Sequence, residues 1–223
     1  GEPQAWLEAL LAAAAFCLAS SGVYALNDVV DRHRDRLHPA KRTRPVASGR
    51  VRVPEALVES VLLLLAGLIL AGIVGRALLG ILIAYVLLQL AYTFALKQKM
   101  IVDVMCIALG FVFRAVAGAA AIGVEPSPWL IICTFTLCLF IGFCKRCNEI
   151  ASLTGNGEAW QHRNTLAGYT DSLLTHLITL SGAIAVVAFL IYAASAHTVK
   201  NLGTNFLLYT LPFVIYGVCR FAM

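Results

Sequence analysis

Charged side chains are scarce in this chain. Asp, Glu, Lys and Arg make up 13% of its 223 residues, whereas hydrophobic residues make up 60%. A soluble domain carries roughly 25% charged residues, so the composition excludes a water-soluble enzyme or a soluble binding module. The mean hydropathy of +0.83 indicates the same class. The sequence therefore predicts a protein that is embedded in a membrane.

The sequence also lacks the cysteine pattern of a disulfide framework or a zinc site. All seven cysteines fall within apolar segments. Cys144 and Cys147 form a C-x-x-C pattern, but no second pair accompanies it, which argues against a structural zinc site. Small, polarisable packing residues are the better interpretation of these side chains. We expect no redox or disulfide chemistry.

Long apolar runs dominate what is present. A transmembrane helix needs about 20 mostly apolar residues to cross ~30 Å of hydrocarbon. Seven runs are long enough, at residues 5–27, 55–74, 77–96, 101–123, 128–148, 172–195 and 206–222. The connections between them are too short for a soluble domain. We expect a single all-α, polytopic transmembrane domain over residues 1–223.

The basic residues are distributed unevenly over the connections. Of the 17 Lys and Arg residues, thirteen lie in three alternate connections, around 31–53, 97–99 and 145–163, while the opposite connections hold only Arg76 and Lys200. Lys and Arg accumulate in cytoplasmic loops, so the three basic connections are expected in the cytoplasm. The pattern predicts an integral protein of the inner (cytoplasmic) membrane whose active site faces the cytoplasm.

Three carboxylates follow each other at helical spacing where the first apolar run ends. Asp28, Asp31 and Asp35 stand at positions i, i+3 and i+7, which share one face of a helix. Clustered carboxylates repel each other unless a positive charge lies among them, and Mg²⁺ prefers oxygen ligands and bridges to phosphates. A solvated helix end is the alternative, but a membrane boundary inside a basic loop favours a metal site. We predict that the three acids hold Mg²⁺, with Asn27 as a supporting ligand.

Basic side chains follow the acidic motif closely. Lys41, Arg42 and Arg44 lie in the same connection, and guanidinium groups bind phosphate oxygens bidentately. A metal on some oxygens and arginine on others is the arrangement that a bound diphosphate needs. The alternative is that these residues only orient the loop in the membrane. The pattern favours a diphosphate substrate, with Arg44 as the first candidate contact.

Further polar residues lie beside or within the third and fourth apolar runs. Tyr92, Lys97 and Asp103 flank the turn between these runs. Lys97 is equally explained as a snorkelling anchor, and Asp103 as an acid that complements a helix dipole. Arg114 stands eleven residues beyond Asp103, three turns along nearly the same face. An arginine at that depth is costly in lipid, so we expect it to face a polar cavity or an anionic ligand.

The last cytoplasmic connection begins with a cluster of Lys145, Arg146 and Glu149. Lys145 and Glu149 stand at i, i+4 and are expected to pair, which would leave Arg146 to bind an anion. Arg163 and Tyr169 follow in the same connection as further candidate substrate contacts.

Several of these motifs together resemble the UbiA superfamily of intramembrane prenyltransferases. They are N-D-x-x-D-x-x-x-D at the end of a transmembrane segment (Asn27 to Asp35), R-P-x-x-S-G (Arg44 to Gly49) and Y-x-x-x-x-K (Tyr92 to Lys97). The resemblance implies a nine-helix bundle around a central cavity that opens to the cytoplasm, and Mg²⁺-dependent handling of a diphosphate. Measured against that family, we expect about one further helix before Trp6 and about two after Met223.

One departure from the family pattern is informative. Most members carry a second acidic motif, D-x-x-x-D, where this chain has K-R-x-x-E (Lys145 to Glu149). Together with F-x-x-R-A-x-A-G (Phe111 to Gly118), this departure resembles a branch that transfers phosphoribosyl groups. The resemblance implies that 5-phosphoribosyl moves from phosphoribosyl diphosphate to a polyprenyl phosphate, with release of diphosphate. Lys145 and Arg146 would then hold the 5-phosphate of the donor, oriented by Glu149.

Two other functions stay open at this point. A prenyl group could move from a polyprenyl diphosphate to an aromatic acceptor, although the missing second acidic motif argues against this reaction. A non-enzymatic transporter or lipid-binding membrane protein is the other alternative, but polar residues confined to one side argue against alternating access through the midplane. Homo-oligomerisation is left open by the sequence, and nothing in it indicates a nucleic-acid partner.

Overall fold

A computed structural model describes residues 3–38, 40–154 and 169–223. Eight α-helices occur in this part of the chain: α1 (Pro3–Leu37), α2 (Val53–Val74), α3 (Arg76–Phe94), α4 (Val102–Ala121), α5 (Pro128–Thr154), α6 (Asp171–Ala194), α7 (Ala196–Leu202) and α8 (Leu211–Ala222). Short 3₁₀ helices occur at Leu96–Gln98 and Phe206–Thr210, and the described residues contain no strand. The predicted all-α fold is confirmed.

The helices α1 to α6 are long and apolar enough to cross a membrane. The seventh predicted run, 206–222, is different, because it forms a 3₁₀ turn and then the 12-residue α8. Pro212 stands at the start of α8, where its fixed φ favours a helix start and its missing amide costs nothing, so the regular helix begins late. The outer connection around 196–204, predicted as a loop, contains α7.

The first helix continues well past its apolar run. It ends at Leu37, ten residues beyond Asn27, with Arg34 and Arg36 in its last turn, where positive charge complements the negative end of the helix dipole. All three motif aspartates therefore lie on one regular helix, as their spacing predicts.

The chain forms two compact units, one of residues 1–106 and 113–126 and the other of residues 107–112 and 127–223. In the first unit, α1 to α4 bury a core of small, aliphatic and aromatic side chains. Its members are Ala12, Ala15, Phe16, Ala19, Ala71, Leu78, Leu82, Tyr85, Ala117 and Ala121. The rings of Phe16 and Tyr85 are 5.2 Å apart between centroids, a favourable separation for an aromatic pair.

Close approach of α1 and α2 depends on two glycines. A Cβ atom at Gly67 would lie 2.9 Å from the carbonyl oxygen of Ala15 and 3.0 Å from the amide nitrogen of Ala19. On the other helix, a Cβ atom at Gly22 would lie 2.8 Å from the carbonyl oxygen of Ser60. Small residues let helix backbones approach in a membrane, where packing rather than hydrophobic burial drives association. This contact fixes the helix that carries the acidic motif.

The second unit packs α5 against α6 in a similar way. Gly182 of α6 faces the ring of Phe140 of α5, and an added Cβ atom would lie 3.1 Å from that ring. The ring of Phe221 from α8 lies 5.9 Å from the ring of Phe140. The second unit therefore also relies on a glycine for the close approach of its two long helices.

Substitution of Gly67 by alanine is expected to destabilise the protein. The added methyl group must displace backbone atoms of α1, and such overpacking typically costs about 1–3 kcal/mol. The change is measured as a lower midpoint of thermal unfolding in detergent. Gly80→Ala is the matched control, because a Cβ atom at this position of α3 meets no atom of the described chain within 4 Å. Equal midpoints for the two variants would contradict this account of the contact.

Candidate active site

Two of the motif carboxylates share one guanidinium nitrogen. Arg44 Nη1 donates to Asp28 Oδ1 at 2.8 Å and to Asp35 Oδ2 at 3.1 Å. Asp35 is only 5% exposed, and a buried carboxylate needs a positive partner and hydrogen bonds. The spacing of seven residues puts both acids on one side of α1, so a single cation can reach both.

The third acid pairs with a different cation. Lys97 Nζ donates to Asp31 Oδ1 at 2.6 Å and to Asn27 Oδ1 at 3.1 Å. Lys97 is 6% exposed, so its side chain is enclosed by the protein. Its contacts with the acidic face of α1 favour a role in this cluster over the snorkelling interpretation.

The loop after α1 is folded so that Arg44 reaches back to the helix. Arg36 Nε donates to the carbonyl oxygen of Ala47 at 2.9 Å. Val46 is buried in a small cluster with Val29 of α1 and Ala56 of α2. Gly49 has a φ of +80°, a conformation that glycine adopts at little cost. Apolar packing and one side-chain hydrogen bond thus hold the loop against α1.

The turn that supplies Lys97 is strained at one residue. Ile101 has a φ of +68°, which is a genuine outlier for a β-branched side chain. Asp103 follows in the first turn of α4 and is completely buried. Strain of this kind persists only where the surroundings fix it, and it concentrates at functional sites. The strained turn lies between two residues that the sequence had marked as candidates.

Every acid of the motif is therefore already paired with a basic side chain. Within residues 3–38, 40–154 and 169–223, no three acidic, histidine or cysteine side chains are grouped so as to hold one metal ion. The side-chain oxygens nevertheless converge in pairs on a positive group. Asp28 and Asp35 meet at Arg44, and Asn27 and Asp31 meet at Lys97. Such hard oxygen donors fit Mg²⁺. A metal in this place requires Arg44 and Lys97 to leave the carboxylates, and both would then be able to bind an anion.

Arg114 lies in a separate polar cluster of the first unit. Its Nη2 donates to Tyr85 Oη at 3.1 Å and to Ser20 Oγ at 3.3 Å, and its guanidinium carbon lies 5.5 Å from the centre of the Tyr85 ring. The two hydroxyls are 3.0 Å apart. Arg114 also lines a cavity of about 470 Å³ between α1 and α4. The sequence reasoning missed Ser20 and Tyr85, for which the only signal was a polar atom inside an apolar run.

In the second unit, the ion pair differs from the predicted one. Arg146, not Lys145, pairs with Glu149. Lys145 is exposed, whereas the side chain of Arg146 is 11% exposed, and the more buried cation has the greater need of a carboxylate. The prediction that Arg146 points away from Glu149 is therefore wrong.

The remaining candidates are scattered. Tyr169 is buried and Tyr92 is half-buried. In the loop after α1, Lys41 is half-buried and Arg42 is exposed. Arg163 lies outside the described residues. The structure thus brings together six of the predicted residues in the first unit: Asn27, Asp28, Asp31, Asp35, Arg44 and Lys97.

Comparisons with known proteins identify relatives of this chain. The chain is 35% identical to a decaprenyl-phosphate phosphoribosyltransferase of Mycolicibacterium smegmatis over 191 residues, 85% of this chain and 59% of that protein. It is 30% identical to a protein of the same name from Corynebacterium glutamicum over 220 residues, 97% of this chain and 65% of that protein. The chain thus spans about three fifths to two thirds of the length of these relatives.

Solved structures show the same fold. A UbiA homologue from Archaeoglobus fulgidus, bound to GPP and Mg²⁺, superposes with a TM-score of 0.77 at 19% identity, covering 96% of this chain and 74% of that one. The UbiA prenyltransferase family matches residues 1–223. The chain is therefore an integral membrane protein and a member of the UbiA prenyltransferase family.

Proposed function

We propose that this protein transfers a 5-phosphoribosyl group from phosphoribosyl diphosphate to a polyprenyl phosphate and releases diphosphate. The observation that carries the proposal is the pairing of the three α1 acids with Arg44 and Lys97. This cluster combines a carboxylate set for a divalent cation with basic groups for a diphosphate. The relatives named as phosphoribosyltransferases support the choice of donor and acceptor. The reaction would take place on the cytoplasmic side of the inner membrane, where the distribution of Lys and Arg predicts the basic connections.

The acids would hold the metal of the reaction. Asp28, Asp31 and Asp35 supply carboxylate oxygens, and Asn27 supplies an amide oxygen. When bound, Mg²⁺ neutralises the charge that develops on the departing diphosphate. A UbiA homologue of the same fold was solved with GPP and Mg²⁺, which supports the proposal of a divalent metal here.

Arg44 and Lys97 change partners during substrate binding. In the structure they pair with the acids at distances of 2.6 to 3.1 Å. With the metal and diphosphate present, both side chains turn to the phosphate oxygens, with Lys41 and Arg42 nearby in the same loop. Charge-assisted hydrogen bonds of this kind are about twice as strong as neutral ones. The donor is thereby held by its diphosphate.

Lys145 and Arg146 recognise the 5-phosphate of the donor, which an ordinary prenyl diphosphate lacks. Glu149 orients Arg146 through their ion pair. In the transfer, an oxygen of the lipid phosphate forms a bond to the anomeric carbon of ribose, and the bond from that carbon to the diphosphate breaks with its electron pair. The lipid phosphate is already anionic, so the step needs no strong general base. The main task of the protein is to hold two anions against their mutual repulsion.

The identity of the donor is tested directly. Purified full-length protein is incubated with polyprenyl phosphate and phosphoribosyl diphosphate labelled in the ribose, and the lipid extract is counted. We expect the label in the lipid, its loss with a chelator and its return with added Mg²⁺. A parallel reaction contains a labelled polyprenyl diphosphate and an aromatic acceptor. Transfer of prenyl label alone would contradict the proposal and favour the aromatic prenyltransferase.

Substitution Asp31→Asn is expected to abolish most of the transfer. It removes one carboxylate charge from the metal site while it keeps the size of the side chain, and loss of one electrostatic contact to a reacting group typically costs about 100-fold or more. The rate is measured with labelled donor at saturating Mg²⁺. Asp171→Asn, at the exposed start of α6, is the matched control and should retain full activity. Full activity of Asp31→Asn would overturn the metal-dependent reaction.

Substitution Lys145→Ala is expected to raise the KM for phosphoribosyl diphosphate about tenfold or more, because a charge-assisted hydrogen bond contributes about 1.5–3 kcal/mol. Lys145 is exposed, so its loss leaves the Arg146–Glu149 pair and the fold intact. Lys200→Ala removes a lysine on the opposite side of the membrane and serves as the control. An unchanged KM for the donor in both variants would remove Lys145 from the donor site.

A further inference from the structure

The cavity beside Arg114 has two chemically different ends. Arg114, Ser20 and Ser21 line one end, and Tyr85 Oη joins this end through its hydrogen bonds to Arg114 and Ser20. The remaining lining is mostly apolar and formed mainly by small residues: Ala9, Ala12, Ala13, Phe16, Cys17, Ala117 and Gly118. A permanent positive charge therefore faces one end of an otherwise apolar space.

The order of these residues along the helices gives the cavity a direction. On α1, every apolar lining residue named above precedes Ser20 in the chain. The motif aspartates follow Ser20 on the same helix, beginning with Asp28. The polar end of the cavity is thus the end nearer to the acidic site, and the apolar end points away from it. At 1.5 Å per residue, Ser20 and Asp28 are separated by about 12 Å along α1.

We propose that this cavity binds the lipid acceptor, with its phosphate at Arg114 and its first isoprene units along the alanine-lined end. The inference rests on the proposed function for the identity of the lipid, but the site itself follows from the charge and shape of the cavity. A volume of about 470 Å³ lies within the usual range for ligand pockets. An ionisable residue within a membrane-spanning helix indicates a functional site by default.

The geometry suits an acceptor better than a donor. Phosphoribosyl diphosphate carries phosphate at both ends and has no apolar part, so the alanine-lined wall makes no favourable contact with it. A polyprenyl phosphate has one anionic end and one apolar chain, which match the two ends of the cavity. With its phosphate at Arg114, the lipid presents that phosphate toward the acidic site and keeps its chain directed away from it. The hydroxyls of Ser20, Ser21 and Tyr85 supply further hydrogen bonds to the phosphate.

Gly118 is a position at which a larger side chain can fill the cavity. A Cβ atom added there meets no described atom within 4 Å, so a larger side chain enters the cavity without a clash with the protein. Binding of tritiated polyprenyl phosphate to the full-length protein in lipid nanodiscs is measured without any donor. We expect Gly118→Leu to weaken binding about tenfold or more, because its side chain occupies the space of about one isoprene unit. Gly80→Leu, at an equally open position of α3, is the matched control and should bind as the wild type does.

Substitution Arg114→Gln separates the contribution of the lipid phosphate to binding affinity from that of the isoprenoid chain. It removes the charge, so binding of polyprenyl phosphate should fall about tenfold or more, whereas binding of the corresponding polyprenol should change less than twofold. Gly118→Leu should weaken both lipids alike. Arg76→Gln is the control for loss of an arginine outside the cavity. In catalysis, both cavity variants should raise the KM for the lipid and leave the KM for phosphoribosyl diphosphate unchanged.

The outcomes are distinct for the two proposals. If polyprenyl phosphate binds at wild-type strength to Gly118→Leu, or if Arg114→Gln weakens the phosphate and the alcohol equally, the cavity is not the acceptor site. If the lipid binds with the expected pattern but no ribose label is transferred, the cavity proposal stands and the proposed reaction fails. Thermal unfolding of each variant beside the wild type shows whether the Arg114 cluster still folds. A folded Arg114→Gln with unchanged affinity for both lipids would assign Arg114 a purely structural role.

Discussion

The ion pairs between α1 and its two basic partners are the interaction on which the acidic end of α1 in the first unit depends. Asp35 is nearly buried and Asp31 is mostly buried, and a buried carboxylate is costly unless it is paired and hydrogen-bonded. Removal of one partner from such a pair typically costs about 3–5 kcal/mol, because the other charge is left buried and unpaired. Positive charge is therefore a requirement of the fold at this place, whichever group supplies it.

In the proposed reaction, that requirement would link metal binding to substrate binding. A divalent ion that entered alone would displace Arg44 and Lys97 from their carboxylate partners. A diphosphate that entered with the ion would offer these cations new partners. Two ligands that each favour the same rearrangement bind cooperatively, and the effect is reciprocal. The same ion pairs would therefore favour binding of the ion and the diphosphate together over binding of the ion alone.

Local spacing predicted much of this protein, and long-range contacts account for what it could not predict. Apolar run lengths gave the six long helices, and the i, i+3, i+7 spacing put three acids on one face of α1. The partner of Asp31, however, is 66 residues away, and no spacing rule identifies it. The Arg146–Glu149 pair is local, but the choice between two neighbouring cations depends on which of them is buried. Ser20 and Tyr85 occupy ordinary positions of apolar runs, and only their contacts with Arg114 distinguish them.

The small residues of α1 serve two different purposes on two of its faces. Ala15 and Ala19 are fully buried against α2, where only glycine and alanine let the two backbones come so close. Ala9 and Ala13 are not buried, and they leave room for the cavity beside α4. A leucine on the first face would push the helices apart, and a leucine on the second would fill the cavity. The alanine-rich start of α1 is thus set by packing on one side and by the space for a ligand on the other.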